Sequence, residues 1–207
     1  MFAFPVRIYI EVLKTNFSRL HKCGRGFMKL QHTDTINAPL EVVYNLVKND
    51  LPKVVQYLPN IREVKVIERS QRDGKDYIIN QWLAEANIPS LAKKFIDEKL
   101  FSWKDCAYWD DSQHKVDYEI EPFFAKGIYE AKGTNLFRPF DGKMQLTLSC
   151  EVQIYPEKIP GIPKFIAKQL NPILEQMIES MLAPNLTSLG RGLKEYLRVE
   201  NSQQNFL

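Results

Sequence analysis

Cysteine is scarce in this chain: Cys23, Cys106 and Cys150 are far apart, odd in number and in no CxxC pair. That spacing argues against a disulfide framework and against a thiolate zinc site, and sets a reducing, cytoplasmic compartment as the expected surroundings. No apolar run approaches the ~18 uninterrupted residues of a membrane-spanning helix. Only three histidines occur, and there is no HExxH, no spaced set of His, Cys and carboxylates, no glycine-rich phosphate loop and no GxSxG elbow. Metals, nucleotide cofactors and the commonest serine-hydrolase chemistry are therefore not expected.

A net excess of positive charge is also lacking outside one place. The net charge is +3, yet residues 1–27 hold five basic residues (Arg7, Lys14, Arg19, Lys22, Arg25) against Glu11 alone. The remaining 180 residues carry 23 basic and 24 acidic side chains. A body so balanced offers no basic face to a phosphate backbone, which excludes nucleic acid as a partner. Residues 1–27 form a separate basic, apolar extension, suited to organellar targeting or to transient contact with a membrane surface. A poorly ordered appendage, or an upstream addition to a chain starting functionally at Met28, accounts for the same residues.

What the chain does have is alternation. KLQHTDTI places Leu30, His32, Asp34 and Ile36 on one face of a strand, and Asn37-Ala38-Pro39 then opens a helix. That helix, LEVVYNLVKND, sets Val42, Val43, Leu46 and Val47 on one side, and a second short helical piece follows around Val54, Val55 and Tyr57. IREVKVIER and DYIINQWLAEA, joined at Arg72-Asp73-Gly74, read as a hairpin. FSWKDCAYW, KVDYEIEP, GIYEAKGTNLF and KMQLTLSCEVQIYP add four strands, with Asp141-Gly142 as another turn. The gaps are too short for crossover helices, so the sheet is antiparallel. In the last segment Phe165, Ile166, Leu170, Ile173, Leu174, Met177, Ile178, Met181 and Leu182 recur at helical spacing, with the helix ending near Leu197. Pro172 and Pro184 fall inside it, which predicts kinks or a break.

The expected fold is α+β: a strongly curved antiparallel sheet of about six to seven strands around one long C-terminal helix, with two short helices after the first strand. Residues 28–200 make this single domain, and 201–207 a tail. A concave sheet around one helix leaves a mouth where an apolar cavity can form.

The stretches TINAPLEVVYNLV and QYLPNIREVKVIER, together with the closing IPGIPKFIAKQLNPILEQMIESMLAPNLTSLGRGLKEYL, resemble the START-like helix-grip superfamily, which includes lipid-transfer, pollen-allergen-like and polyketide cyclase or dehydrase-like proteins. The resemblance runs over roughly residues 28–198 in order of elements. It implies a hydrophobic cavity between sheet and helix for lipids, sterols, polyketides or other apolar compounds.

Candidate site residues follow in two sets. His32 and Asp34, two apart on one strand face, are weak catalytic candidates because a carboxylate oriented on an imidazole builds proton-transfer sites; a strand end touching water explains them as well. Twelve of the 24 aromatic residues fall between Trp82 and Phe140. Of these, Trp82, Trp103, Tyr118, Tyr129 and Phe137, with Ile120 beside them, are candidates for a ligand wall, as are Phe165, Leu170, Leu174, Met177 and Met181 on the helix. Ordinary core packing uses the same residue types. Asp117, Glu119 and Glu121 alternate with Val116, Tyr118 and Ile120 and read as the solvated face. The segments Pro89 to Ile96 and Pro122 to Gly127 are expected at the rim, one of them as a lid. The leading functional reading is binding or transport of a hydrophobic small molecule or lipid, without cofactor or metal. The alternatives are a polyketide cyclase or dehydrase-like enzyme and a protein-interaction module.

Overall fold

The computed structural model describes residues 21–22, 27–59, 61–84, 102–122, 127, 129–158 and 164–204; of residues 21, 22, 122, 164–181, 185 and 204 it gives the backbone course alone. Eight strands form one antiparallel sheet: β1 (His21–Lys22), β2 (Phe27–Ile36), β3 (Ile61–Arg72), β4 (Lys75–Ala84), β5 (Ser102–Asp110), β6 (Lys115–Pro122), β7 (Tyr129–Phe140) and β8 (Lys143–Ile154). Their spatial order is β1-β2-β8-β7-β6-β5-β4-β3. Seven strands are long, and β1 is a two-residue strip on β2 contributed by the N-terminal extension. Between β2 and β3 the chain crosses from one side of the sheet to the other through α1 (Leu40–Asn49), α2 (Leu51–Val54) and a 3-10 turn at Val55–Tyr57. The fold is the curved sheet with one long C-terminal helix that the alternation and helical spacing imply.

Local sequence explains the turns and the bends. Both Asp-Gly pairs, Asp73-Gly74 and Asp141-Gly142, have positive φ at each residue, the type I′ geometry that matches the twist of paired strands. Breaks in the β3–β4 register at Ile61/Glu63 and Val66/Glu68 are bulges, which bend an edge strand. β8 shows the period of two most cleanly: Met144, Leu146, Leu148, Cys150, Val152 and Ile154 are all buried, and their neighbours are not.

The core is fullest where α1 meets the sheet. Tyr44 packs edge-on against Trp109, Phe137 and His114 at centroid distances of 5.4, 5.1 and 5.0 Å. This corrects one expectation: the buried face of α1 is Val43, Tyr44, Leu46 and Val47, while Val42 is 49% exposed. The physical reason is the tyrosine, which reaches into the aromatic cluster and turns the helix so that Val42 points away from the sheet.

α3 (Lys164–Gln204) runs unbroken through Pro172 and Pro184 and passes Leu197, contrary to the expected break and end. After Pro184, whose carbonyl accepts a hydrogen bond from Thr187 Oγ1 at 3.0 Å, the helix lies close on the sheet. Gly190 and Gly192 make that possible: a Cβ on the first would strike the Asp34 carboxylate, and one on the second the side chain of Leu58. Leu193 and Ser188 are buried in the same seam. No helix among the described residues is long and apolar enough to cross a membrane.

Candidate functional site

A pocket of about 110 Å³ lies between the concave face of the sheet and α3. The sheet supplies Trp82 from β4, Trp103 and Asp105 from β5, Tyr118 and Ile120 from β6, and Asn135 from β7. Leu148 and Cys150 of β8 continue the floor, and Leu182, Leu186, Ser188 and Leu189 of α3 close it from above. Alternation is what aims them: on β5 the positions Trp103, Asp105, Ala107 and Trp109 share one face. Trp82 and Trp103, opposite each other across β4 and β5, lie nearly parallel with centroids 5.9 Å apart and form a flat wall.

Polar groups are few in this lining and several are unsatisfied. Trp82 Nε1, Asp105 Oδ1 and Asn135 Oδ1 are buried without a hydrogen-bond partner among the described residues. Such atoms are costly to bury and normally find a partner. Trp109 Nε1 is a fourth of this kind, but it sits in the packed aromatic cluster and does not line the pocket. Burial pushes the Asp105 carboxyl up to about 7; the Trp82 indole and the Asn80 amide face it and pull the other way. Neither closes a bond to Oδ1. Burial, joined by the charges of Cys150 and Asp105, raises the Tyr118 phenol well above its ordinary range. Its hydroxyl donates to the Ser149 carbonyl at 3.0 Å. The Cys150 thiol is pushed up to about 11, chiefly by burial. Both groups are therefore neutral near pH 7, and Asp105 is the lining group that titrates there.

Of the sequence candidates, Trp82, Trp103, Tyr118 and Ile120 come together in this lining. Phe137 does not: it is fully buried at the α1 end, against Tyr44 and Trp109. Tyr129 packs instead with the second apolar cluster, around Met28, Leu30 and Val152. The side chains of Phe165, Leu170, Leu174, Met177 and Met181 lie outside the described residues, as do the segment Pro89 to Ile96 and the tip 123–126. His32 and Asp34 are on the inner face but not in the lining. His32 Nε2 is 2.8 Å from Asp34 Oδ2, and Lys194 Nζ donates to Asp34 Oδ1 at 2.5 Å, an ion pair that ties β2 to α3 with His32 beside it. Asp117, beside Lys115 and Thr134, is on the outer face as the alternation implies. Among the described residues no group of three His, Cys or carboxylate side chains could hold a metal ion.

Asp105, Asn135, Leu148 and Cys150 were not among the candidates. A signal existed for Asp105: in FSWKDCAYW it is the one ionisable residue in the alternating set Trp103, Asp105, Ala107, Trp109, a carboxylate on an otherwise apolar face.

No family model and no curated protein matches this sequence. Solved structures do. A protein from Thermus thermophilus, TTHA0849, superposes with a TM-score of 0.59 at 20% identity, over 83% of this chain and 98% of its own. The Zhui aromatase/cyclase from Streptomyces sp. R1128 gives 0.56 at 15% identity, over 83% and 94%. The di-domain aromatase/cyclase BexL gives 0.55 at 14% identity, over 83% of this chain and 50% of that one. At these identities the likeness is one of fold: with the sheet order and the closing helix, the chain has a helix-grip fold.

Proposed function

We propose that the protein binds a hydrophobic small molecule or lipid in the cavity between the sheet and α3. The observation that carries this reading is the lining itself: a mostly apolar wall, with stacked tryptophans and three unpartnered polar atoms, matches the few-polar-groups pattern of ligand sites. Apolar burial, worth about 25 cal/mol per Å², would supply affinity, and the polar atoms would set orientation. Native mass spectrometry of gently purified protein, followed by solvent extraction, tests it. An apolar compound near one per chain is expected. An empty protein that also fails to bind a panel of apolar compounds overturns the reading. A co-purifying protein chain with nothing extractable would favour an interaction module instead.

A second reading, an enzyme of the polyketide cyclase or dehydrase kind, is favoured by one observation: a carboxyl that titrates near neutrality in an apolar cavity is suited to proton transfer. It also draws on the aromatase/cyclases among the structural neighbours. In this reading Asp105, more than His32 or Asp34, carries the proton, since the latter pair is held by Lys194 outside the lining. Asp105→Asn would then abolish turnover of a polyketide-like substrate while leaving its affinity within a few-fold. Contact of residues 1–27 with a membrane surface belongs to the lipid-carrier form of the first reading, and vesicle co-sedimentation of the full chain tests it.

A further inference from the structure

The cavity is asymmetric in charge. Among the described lining residues there is no Lys, Arg or His, and the one group able to carry charge near neutral pH is Asp105. Its Oδ1 is buried and meets no donor among the described residues. A carboxylate taken out of water is strongly penalised unless a cation and hydrogen bonds meet it. The walls around it are aromatic: Trp103 two residues before it, Trp82 stacked on Trp103, and Tyr118 from the next strand. Aromatic faces attract ammonium groups and do nothing for carboxylates. A ligand with an acidic head, such as a fatty acid, would bring a second negative charge beside the first. A ligand with a protonated amine would supply what Asp105 Oδ1 lacks and would gain the indole faces as well. The pocket, at about 110 Å³, is of the order of a cavity that holds one benzene-sized ring.

We propose that this cavity selects small apolar amines, with the Asp105 carboxylate as the counter-ion of the ligand's ammonium group. The proposal rests on the ligand-binding reading above and names its ligand class. Among the described residues, the titratable groups of other strands that act on Asp105 are Tyr118 on the adjacent β6 and Cys150 across the cavity on β8, both neutral in the range of interest. From α3 the described residues Leu182, Leu186, Ser188 and Leu189 face the pocket, and none titrates.

The test compares three probes with the same ring, benzylamine, benzyl alcohol and benzoate, titrated into the full chain by heteronuclear NMR. Benzylamine is expected to bind about tenfold or more tighter than benzyl alcohol, and benzoate weakest. In Asp105→Asn the amine should lose that advantage over the alcohol. In the unmodified protein, amine affinity should rise between about pH 5 and about pH 8 as Asp105 ionises, and alcohol affinity should stay flat; this series decides alone if the variant does not fold. Equal binding of amine and alcohol, or amine binding indifferent to pH, overturns the counter-ion role and leaves the ligand-binding reading standing. Failure of all three probes to bind overturns the amine proposal, while the ligand-binding reading is decided by the extraction and the wider panel above.

Discussion

The two ends of the concave face are built from the same materials and finished differently. At the α1 end, buried charge is matched: Lys48, 8% exposed, lies 2.6 Å from Asp76 Oδ2 and 2.7 Å from Asp111 Oδ1, and the Tyr44 hydroxyl donates to Asp111 at 2.7 Å. Burial works against the Lys48 charge, but the bonds to Asp111 and Asp76 outweigh it and hold its pKa up. Asp76 in turn is held below the ordinary carboxylate range, first by its bond from Lys48. At the pocket end, Asp105 Oδ1 is buried, and no cation stands beside it among the described lining residues. The difference teaches where to look for function: the charges at the α1 end are satisfied within the fold, and the carboxyl at the pocket end is the group on which the ligand-binding proposal is tested.

The sharpest break of this comparison is Phe137→Ala. Phe137 is fully buried among Tyr44 and Trp109, and its removal should cost about 3–5 kcal/mol, read from denaturant unfolding. Next comes pH. The folded Asp105 carboxyl titrates at about 7 against an ordinary 3.8, so the folded state holds its proton more tightly. Its contribution is present below about pH 4 and is lost as pH rises towards about 7, an effect of up to about 4 kcal/mol. Asp105→Asn should flatten that slope in urea midpoints measured across the range, and an unchanged slope would remove the buried acid from the account. Gly190→Ala should cost about 1–3 kcal/mol, because the added methyl group displaces Asp34 from Lys194. Tyr44→Phe removes one hydrogen bond to a carboxylate and should cost about 1.5 kcal/mol by the same measurement. Least of all, Ile120→Val in the pocket wall should cost about 0.5–1 kcal/mol, as a half-buried methyl group facing a void makes few contacts.

Much of this molecule was legible in its sequence, for a definable reason. Period-two alternation across 61–84 and 101–155, punctuated by two Asp-Gly turns, leaves little freedom in how the strands pair. The inward set Trp82, Trp103, Tyr118 and Ile120 follows from the same parity. Parity tells a face but not a depth, and this is why Phe137, on that face too, lies in the core, and Tyr129, half-buried, packs against the second apolar cluster and is not in the described lining. Nor could it weigh Asp105: a carboxylate on an apolar face is visible as a letter, while the partners that its oxygens find or lack depend on strands far away in the chain. His32 and Asp34 failed as pocket residues in the same way, since their partner is Lys194, on the last helix. Pro172 and Pro184 show a local rule overridden, because the helix continues through both.

The pairing of β2 with β8 has a consequence for assembly in time. His32 is registered on Leu148 and Phe27 on Gln153, so one of the earliest strands finds its main neighbour only after more than a hundred residues have intervened. The β3–β8 meander can zip by successive hairpins as it emerges, but β2 must wait, joined by α1 and α2 to the opposite edge of the sheet. Closing that loop has an entropic cost that local contacts cannot offset in advance, which places the final closure of the sheet late and makes it slow. A chain stopped before β8 would hold β2 as an unpaired edge with Met28, Leu30 and Ile36 uncovered, an invitation to self-association.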